Sequence, residues 1–258
     1  MKCIAIWMQL ETVNSLELLF LQVDDCLMDV KAIPQTVFFN QTAYRLIPSR
    51  YPPTSVFDDV ASQAEFDILY AIQELTNPRI RNEVGNLNRV PVEERPYGIR
   101  GCNYALGPFV HLNPAGSRFS SGDFGIYYAA EDVQTAIAET RYHQQCYFSG
   151  VEGLKYDRLS MRCLKTQFSA SLRDITGDIY KDSDWYIKDD YFASQQLGER
   201  LKANNESGIV YYSVRIENKI CYALFSPILI KDVIQTTHYE YIWDGEKITV
   251  ALETTEVE

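Results

Sequence analysis

The sequence is poor in the residues that build metal centres. It holds three histidines, and its six cysteines (Cys3, Cys26, Cys102, Cys146, Cys163 and Cys221) are scattered, with no CxxC pair and no histidine at ligand spacing. Neither a zinc site nor a disulfide framework follows from such spacing, so no metal is expected and the thiols read as reduced and partly buried. Positive charge is also scarce. Against 35 Asp and Glu stand 24 Lys and Arg, a formal net charge of −11, opposite to the basic face that neutralises nucleic-acid phosphates. Direct nucleic-acid binding is therefore not expected, whereas a partner with a basic surface suits the charge. No stretch reaches the ~20 apolar residues of a membrane span. The apolar start MKCIAIWMQLETVNSLELLFL is broken at Gln9 and Glu11 and has no small-residue cleavage site, so a cytoplasmic protein away from membranes is expected. Nor is there a GxGxxG or Walker-type loop to mark a doubly wound nucleotide domain.

What the chain does have is length, apolar content and tyrosine. Its 258 residues are 46% hydrophobic, enough for one large folded domain or a domain with an appendage. The 18 tyrosines outnumber the 12 phenylalanines and 3 tryptophans together, which suits half-buried sheets and pocket walls. A helix is plausible around Leu16–Val30, and Tyr44–Ser55 reads as extended because its prolines exclude helix. In FDDVASQAEFDILYAIQELTNPR, Ala61, Ala64, Ile68, Ala71, Ile72 and Leu75 share one helical stripe that Asn77-Pro78 ends. Residues 79–115 read as irregular connection with short strands. Strands follow at Gly125–Ala130, in YDRLSMRCLKTQF, on either side of a turn at Glu217–Lys219, and in a hairpin with Asp244-Gly245 at its tip. Helices read from Glu131 onward and in DDYFASQQLGERLKANNESG, the latter with Gly208 as its stop. Without regular βαβ alternation, the pattern favours a mixed α+β domain.

Four residues are candidates for chemistry. Arg45 lies in an extended segment beside Leu46 and Ile47. Arg118 sits in a glycine-bounded loop, where a guanidinium offers a planar fork of donors to an anion. Val133, Ala136, Ile137 and Thr140 form the inward stripe of their helix, which leaves Glu139 about 100° off the stripe's centre, at the core border. Ser213 lies in the apolar run IVYYSVR. Each residue alone has an ordinary structural use: a surface ion pair, a solvated carboxylate, a hydroxyl satisfied by backbone.

Taken in order, AYRLIPSRYP, GSRFSSGDFGIYYAAEDVQTAIAE, SGIVYYSVR and ALFSP resemble the RES-domain family, named for an arginine, a glutamate and a serine. The resemblance spans roughly residues 40–245. It implies residues 1–40 as an N-terminal extension and 41–258 as a RES domain with a helical insertion about 56–95. The implied fold is α+β, an ADP-ribosyltransferase-like core of mixed, mostly antiparallel sheets flanked by helices. The named residues map onto Arg45, Glu139 and Ser213, with Arg118 and Tyr128 matching positions that line the family's pocket. Arg50 competes with Arg45, and Tyr127 with Tyr128, although neighbouring strand residues face opposite ways. After Ser213 the family usually shows glycine and asparagine, where this chain has Ile216-Glu217-Asn218-Lys219.

The resemblance further implies a toxin of a bacterial toxin–antitoxin pair that consumes NAD+ as substrate, with neither cofactor nor metal. The reaction would be NAD+ phosphorolysis or hydrolysis; transfer of ADP-ribose to a protein, and a non-catalytic interaction module, are the alternatives. The implied partner is an Xre-type helix-turn-helix antitoxin.

Overall fold

A computed structural model of the protein describes residues 29–49, 62, 64, 65, 68 and 85–254. Of the stripe of the helix read before Asn77, Ala64 and Ile68 are described and both are helical; its other members, the helix read around Leu16–Val30 up to residue 28, and most of the insertion read over 56–95 lie outside the described residues. The chain divides into two units, Met1–Pro34 and Gln35–Glu258. The second unit opens with a strand ahead of the boundary that the sequence places at residue 41.

Seven strands make one mixed, mostly antiparallel sheet in the order β1-β2-β5-β4-β3-β6-β7. They are β1 (Gln35–Pro48), β2 (Tyr127–Ala130), β3 (Asp157–Asp174), β4 (Gly208–Tyr212), β5 (Ile220–Leu224), β6 (Ile230–Trp243) and β7 (Ile248–Thr254). β1 touches β2 at one register position, Tyr44 opposite Ala130, and runs along β3 on its other edge. The far end of β3 pairs in parallel with β4, Arg173 opposite Ile209. Five strands thus close on themselves: β1, β2, β5, β4 and β3. Closure removes the unpaired edges of the short strands β2, β4 and β5.

Three helices accompany the sheet: α1 (Cys102–Val110), α2 (Val133–Ser149) and α3 (Phe192–Ala203). The face of the sheet bearing Ala43, Tyr127, Phe168, Val210, Tyr222 and Leu224 forms the main core with Cys102, Ala105, Leu106 and Phe109 of α1. Burying a large apolar side chain contributes about 1.5–3 kcal/mol, so this cluster carries much of the fold. α1 replaces the irregular connection and short strands read over 79–115, where the described residues contain helical turns and no strand. Glycine at 101 and 107 and proline at 108 hide it from propensity. The Gly101 backbone is left-handed, and a Cβ there would meet Val233 O at 2.2 Å.

α2 lies over the opposite face. Asp132 caps it, accepting from Thr135 N at 2.8 Å, and also accepts from Lys219 Nζ at 2.7 Å in the β4–β5 turn. Ala136 and Ile137 are buried, Thr140 Oγ1 meets Tyr241 OH at 2.8 Å, and Phe148 packs on Trp243. The helix runs on to Ser149, so Glu139 sits in its second turn. The stop read at Gly208 for α3 is instead supplied by Asn205, which takes a left-handed backbone, while Gly208 opens β4.

Two helical glycines differ in their surroundings. A Cβ on Gly198 of α3 would lie 1.9 Å from Phe119 O, whereas one on Gly107 of α1 meets nothing within 4 Å. Gly198→Ala should therefore destabilise the protein by about 2 kcal/mol or more, and Gly107→Ala should stabilise it by about 0.5–1 kcal/mol, in urea unfolding.

Against the burial that would raise it, hydrogen bonds from Lys219 and Thr135 hold the Asp132 carboxyl below its ordinary value of 3.8. A depressed carboxyl contributes stability above its unfolded value and loses it as pH falls through the folded one. Asp132→Asn should lower the melting temperature near pH 7, and the gap to wild type should close as pH falls below 3.8.

Candidate active site

β2 sends its two tyrosines to opposite faces of the sheet, as strand geometry requires. Tyr127 points into the core, its hydroxyl 2.6 Å from Thr166 Oγ1. Tyr128 points to the α2 side, where its hydroxyl shares a 2.9 Å hydrogen bond with Ser117 Oγ and accepts from Phe119 N at 3.0 Å. Burial, opposed by those two contacts, pushes the Tyr128 phenol up to about 12. Tyr128 therefore pins the loop that carries Arg118.

Glu139 and Ser213 are brought into direct contact. Ser213 is the first residue beyond β4 and is buried, and its Oγ donates to Glu139 Oε1 at 2.5 Å across 74 positions of sequence. The same oxygen accepts from Arg215 N and Ile216 N, both at 3.1 Å, and Ser213 N donates to Lys219 O at 2.7 Å. The turn that departs from the family pattern is thus organised by the serine itself. Tyr211 and Cys221 form a register pair beneath this contact. Desolvation raises both well above their ordinary values, and the negative charge of Glu139 adds to the rise. The carboxylate thus borders neutral, buried groups, a setting where electrostatics is weakly screened.

Arg118 is buried, and its guanidinium is engaged with backbone. Nη1 donates to Trp185 O and Ile187 O, each at 3.0 Å, and Nη2 to Lys188 O at 3.4 Å. Its guanidinium carbon lies 4.6 Å from the centroid of the Tyr191 ring. Arg215 reaches the same segment, donating from Nη2 to Lys188 O at 2.8 Å and to Asp189 Oδ1 at 3.5 Å. Its guanidinium carbon lies 3.3 Å from the Tyr142 ring centroid, and the Tyr142 hydroxyl donates to Asp189. Two guanidinium groups on one carbonyl oxygen repel each other. At roughly 6 Å, with an effective dielectric of about 20, two unit charges repel by about 3 kcal/mol.

Arg45 approaches from the core face. Its Nη1 donates to Tyr128 O at 2.8 Å, and its guanidinium lies 4.9 Å from the Tyr127 ring centroid. It fills the place where β1 and β2 splay apart after their single pairing. Burial pulls its proton affinity below the usual arginine value, partly offset by Tyr127 and Tyr128. Its competitor Arg50 lies outside the described residues.

The structure thus joins Glu139 to Ser213 directly, places Tyr128 and Arg118 in the adjoining loop contacts, and links Arg45 to them through a backbone carbonyl. Sequence reasoning missed Arg215, Tyr142, Tyr191 and Tyr211. A signal existed for Tyr142, which stands three residues beyond Glu139 on the same helical face. A cavity lined by Arg89, Glu94, Phe109, Phe124, Lys202 and Phe225 touches none of these residues. Two of its charged groups are engaged, Lys202 with Phe225 O and Glu94 with the Ser226 hydroxyl. Chemistry rather than concavity singles out the Glu139 cluster. Among the described residues no group of three His, Cys, Asp or Glu side chains converges.

Residues 95–244 match the RES domain. The uncharacterized protein y4oC of Sinorhizobium fredii is 32% identical over 210 residues, 80% of this chain and 85% of that one. The solved M. tuberculosis MbcT–MbcA toxin–antitoxin complex aligns over 80% of this chain and 89% of its own, with 9% identity and a TM-score of 0.39. The family match covers more than half of the sequence and includes Arg118, Tyr128, Glu139 and Ser213, so the chain belongs to the RES-domain family.

Proposed function

We propose that this chain cleaves the nicotinamide–ribose bond of NAD+ and acts as the toxin of a toxin–antitoxin pair, restrained by an Xre-type helix-turn-helix antitoxin. The observation that carries the reading is the 2.5 Å contact between Ser213 Oγ and Glu139 Oε1. It fixes a carboxylate at the edge of a buried, apolar-backed surface, within a family whose members consume NAD+. Cleavage of the bond from ribose C1 to the pyridinium nitrogen sends the bonding pair to nitrogen, so nicotinamide leaves neutral. The ribose becomes oxocarbenium-like, as in glycoside hydrolysis. Glu139 opposes that positive charge, and Ser213 holds it in place through one of its two oxygens. A water or phosphate oxygen then bonds to C1, and a water gives up its proton to solvent.

The neutral leaving group needs no strong general acid. Arg118 is assigned to the pyrophosphate by bidentate contacts, and Arg45, which approaches from the core face, to fixing β2 through the Tyr128 carbonyl. Tyr128, immobilised by Ser117 and Phe119, supplies an aromatic wall. The acidity of the chain suits an antitoxin with a basic surface.

Purified protein should release nicotinamide from NAD+, measured by chromatography. Glu139→Gln should lose about 10²-fold or more of that activity while keeping its far-ultraviolet circular dichroism. Intact NAD+ after incubation with wild type, in both phosphate and phosphate-free buffer, overturns the reading. Formation of an ADP-ribose phosphate only when phosphate is present would assign phosphorolysis over hydrolysis.

Expression in a bacterial host should halt growth and lower cellular NAD+, and Glu139→Gln should do neither. Normal growth with wild type at unchanged NAD+ would remove the toxin assignment.

A further inference from the structure

The convergence of Arg118 and Arg215 on one backbone oxygen is not explained by the need to hold a loop. Lys188 O accepts from Arg118 Nη2 at 3.4 Å and from Arg215 Nη2 at 2.8 Å. A carbonyl carries a partial charge, whereas the two donors bring two full positive charges. Both arginines are well buried, with Arg118 at 8% exposure and the Arg215 side chain at 11%, so solvent screens their repulsion poorly. Arg215 Nε is buried with no hydrogen-bond partner. The one carboxylate in contact, Asp189, lies at 3.5 Å, is 73% exposed, and already accepts from the Tyr142 hydroxyl. The pair therefore has more positive charge and more donors than its present partners satisfy.

The surroundings also set the geometry of an oxyanion site. Arg215 is stacked on Tyr142 and Arg118 on Tyr191, which holds both planar forks in fixed orientations. Arg215 N donates to Ser213 Oγ, the atom that holds Glu139, so the pair adjoins the carboxylate. His143, one turn beyond Glu139 on α2, feels all three charges. Desolvation lowers its proton affinity below the ordinary 6.5, Glu139 opposes that, and Arg215 and Arg118 reinforce it.

We propose that Arg215 completes, with Arg118, a two-guanidinium site for a phosphate-type oxyanion, which the Lys188 carbonyl occupies in the ligand-free protein. A bound oxyanion replaces one weak acceptor with several full-strength ones, and each guanidinium then makes charge-assisted bonds. Two sources share this chemistry: the pyrophosphate of a dinucleotide substrate and free phosphate as acceptor. Assigning the source rests on the function proposed above; the oxyanion site itself does not.

The test is calorimetric titration of the intact protein with ADP-ribose and, separately, with inorganic phosphate. Arg215→Ala should weaken one of the two roughly tenfold or more, and the ligand affected identifies the source. Should that variant fail to fold, Arg215→Lys should weaken the same ligand, because a point charge does not reproduce the fork.

Tyr142→Phe separates ligand contact from loop fastening. It removes the hydroxyl bond to Asp189 while keeping the ring under Arg215, and should leave both affinities within about twofold of wild type. Unchanged affinities in the Arg215 variants overturn the proposal, as does equal weakening in Tyr142→Phe. If oxyanion binding depends on Arg215 but NAD+ stays intact, the site survives and the proposed function falls. If NAD+ is cleaved but oxyanion binding shows no dependence on Arg215, the reverse holds.

Discussion

A buried serine hydroxyl organises this part of the molecule. Ser213 Oγ donates once, to the Glu139 carboxylate, and accepts twice, from the backbone of Arg215 and Ile216. That single atom ties α2, the end of β4 and the turn to β5 together. Donating to a charged acceptor makes the bond stronger than an ordinary neutral one. Accepting two amides satisfies donors that a tight turn would otherwise leave buried and unpaired. The carboxylate is thus positioned by the same contact that lets the turn exist, so the geometry of Glu139 does not depend on a long, free side chain finding its rotamer. Asp132 and Lys219 reinforce the arrangement from the other end of the turn.

Around this centre the chain spends its buried positive charge on backbone. Arg118 grips three carbonyls of one segment, Arg215 one of the same three, and Arg45 the carbonyl of Tyr128. Arg118 and Arg215, used in this way, order the chain that follows the short helical turn at Asp184–Tyr186. They also keep cations close to a carboxylate without an ion pair that would neutralise it. Glu139 accepts from a neutral hydroxyl, and the arginines donate to neutral carbonyls, Arg215 also reaching the exposed Asp189 at 3.5 Å. Glu139 and these cations therefore stand near each other without a direct ion pair between them.

Legibility in the sequence followed periodicity. The strand at β2 was readable from its aromatics, and the Asp244-Gly245 hairpin from its turn chemistry. The start of α2 was readable from Asp132 and the stripe at Ala136 and Ile137. In β3, Met161–Leu164 are buried on both faces, which erases the period-two signal there. α1 was read as irregular because glycine and proline outweighed its apolar residues, while packing against the sheet overrides that propensity. For the candidate site, helical phase placed Glu139 at the core border, but nothing local pairs residues 139 and 213. Only the family resemblance connected them. Arg215 had no local signature either, since its role arises from a carbonyl 27 positions away.

The opposed tyrosines of β2 have a consequence for how this family can vary. The strand is four residues long, and its inward tyrosine belongs to the core while its outward one holds the Arg118 loop. Inserting or deleting one residue within it would exchange the two faces, filling the core with the wrong ring and releasing the loop at once. Loops elsewhere in the chain can change length at little energetic cost, but this strand cannot. Drift in sequence length should therefore be excluded from residues 127–130 more strictly than side-chain identity is.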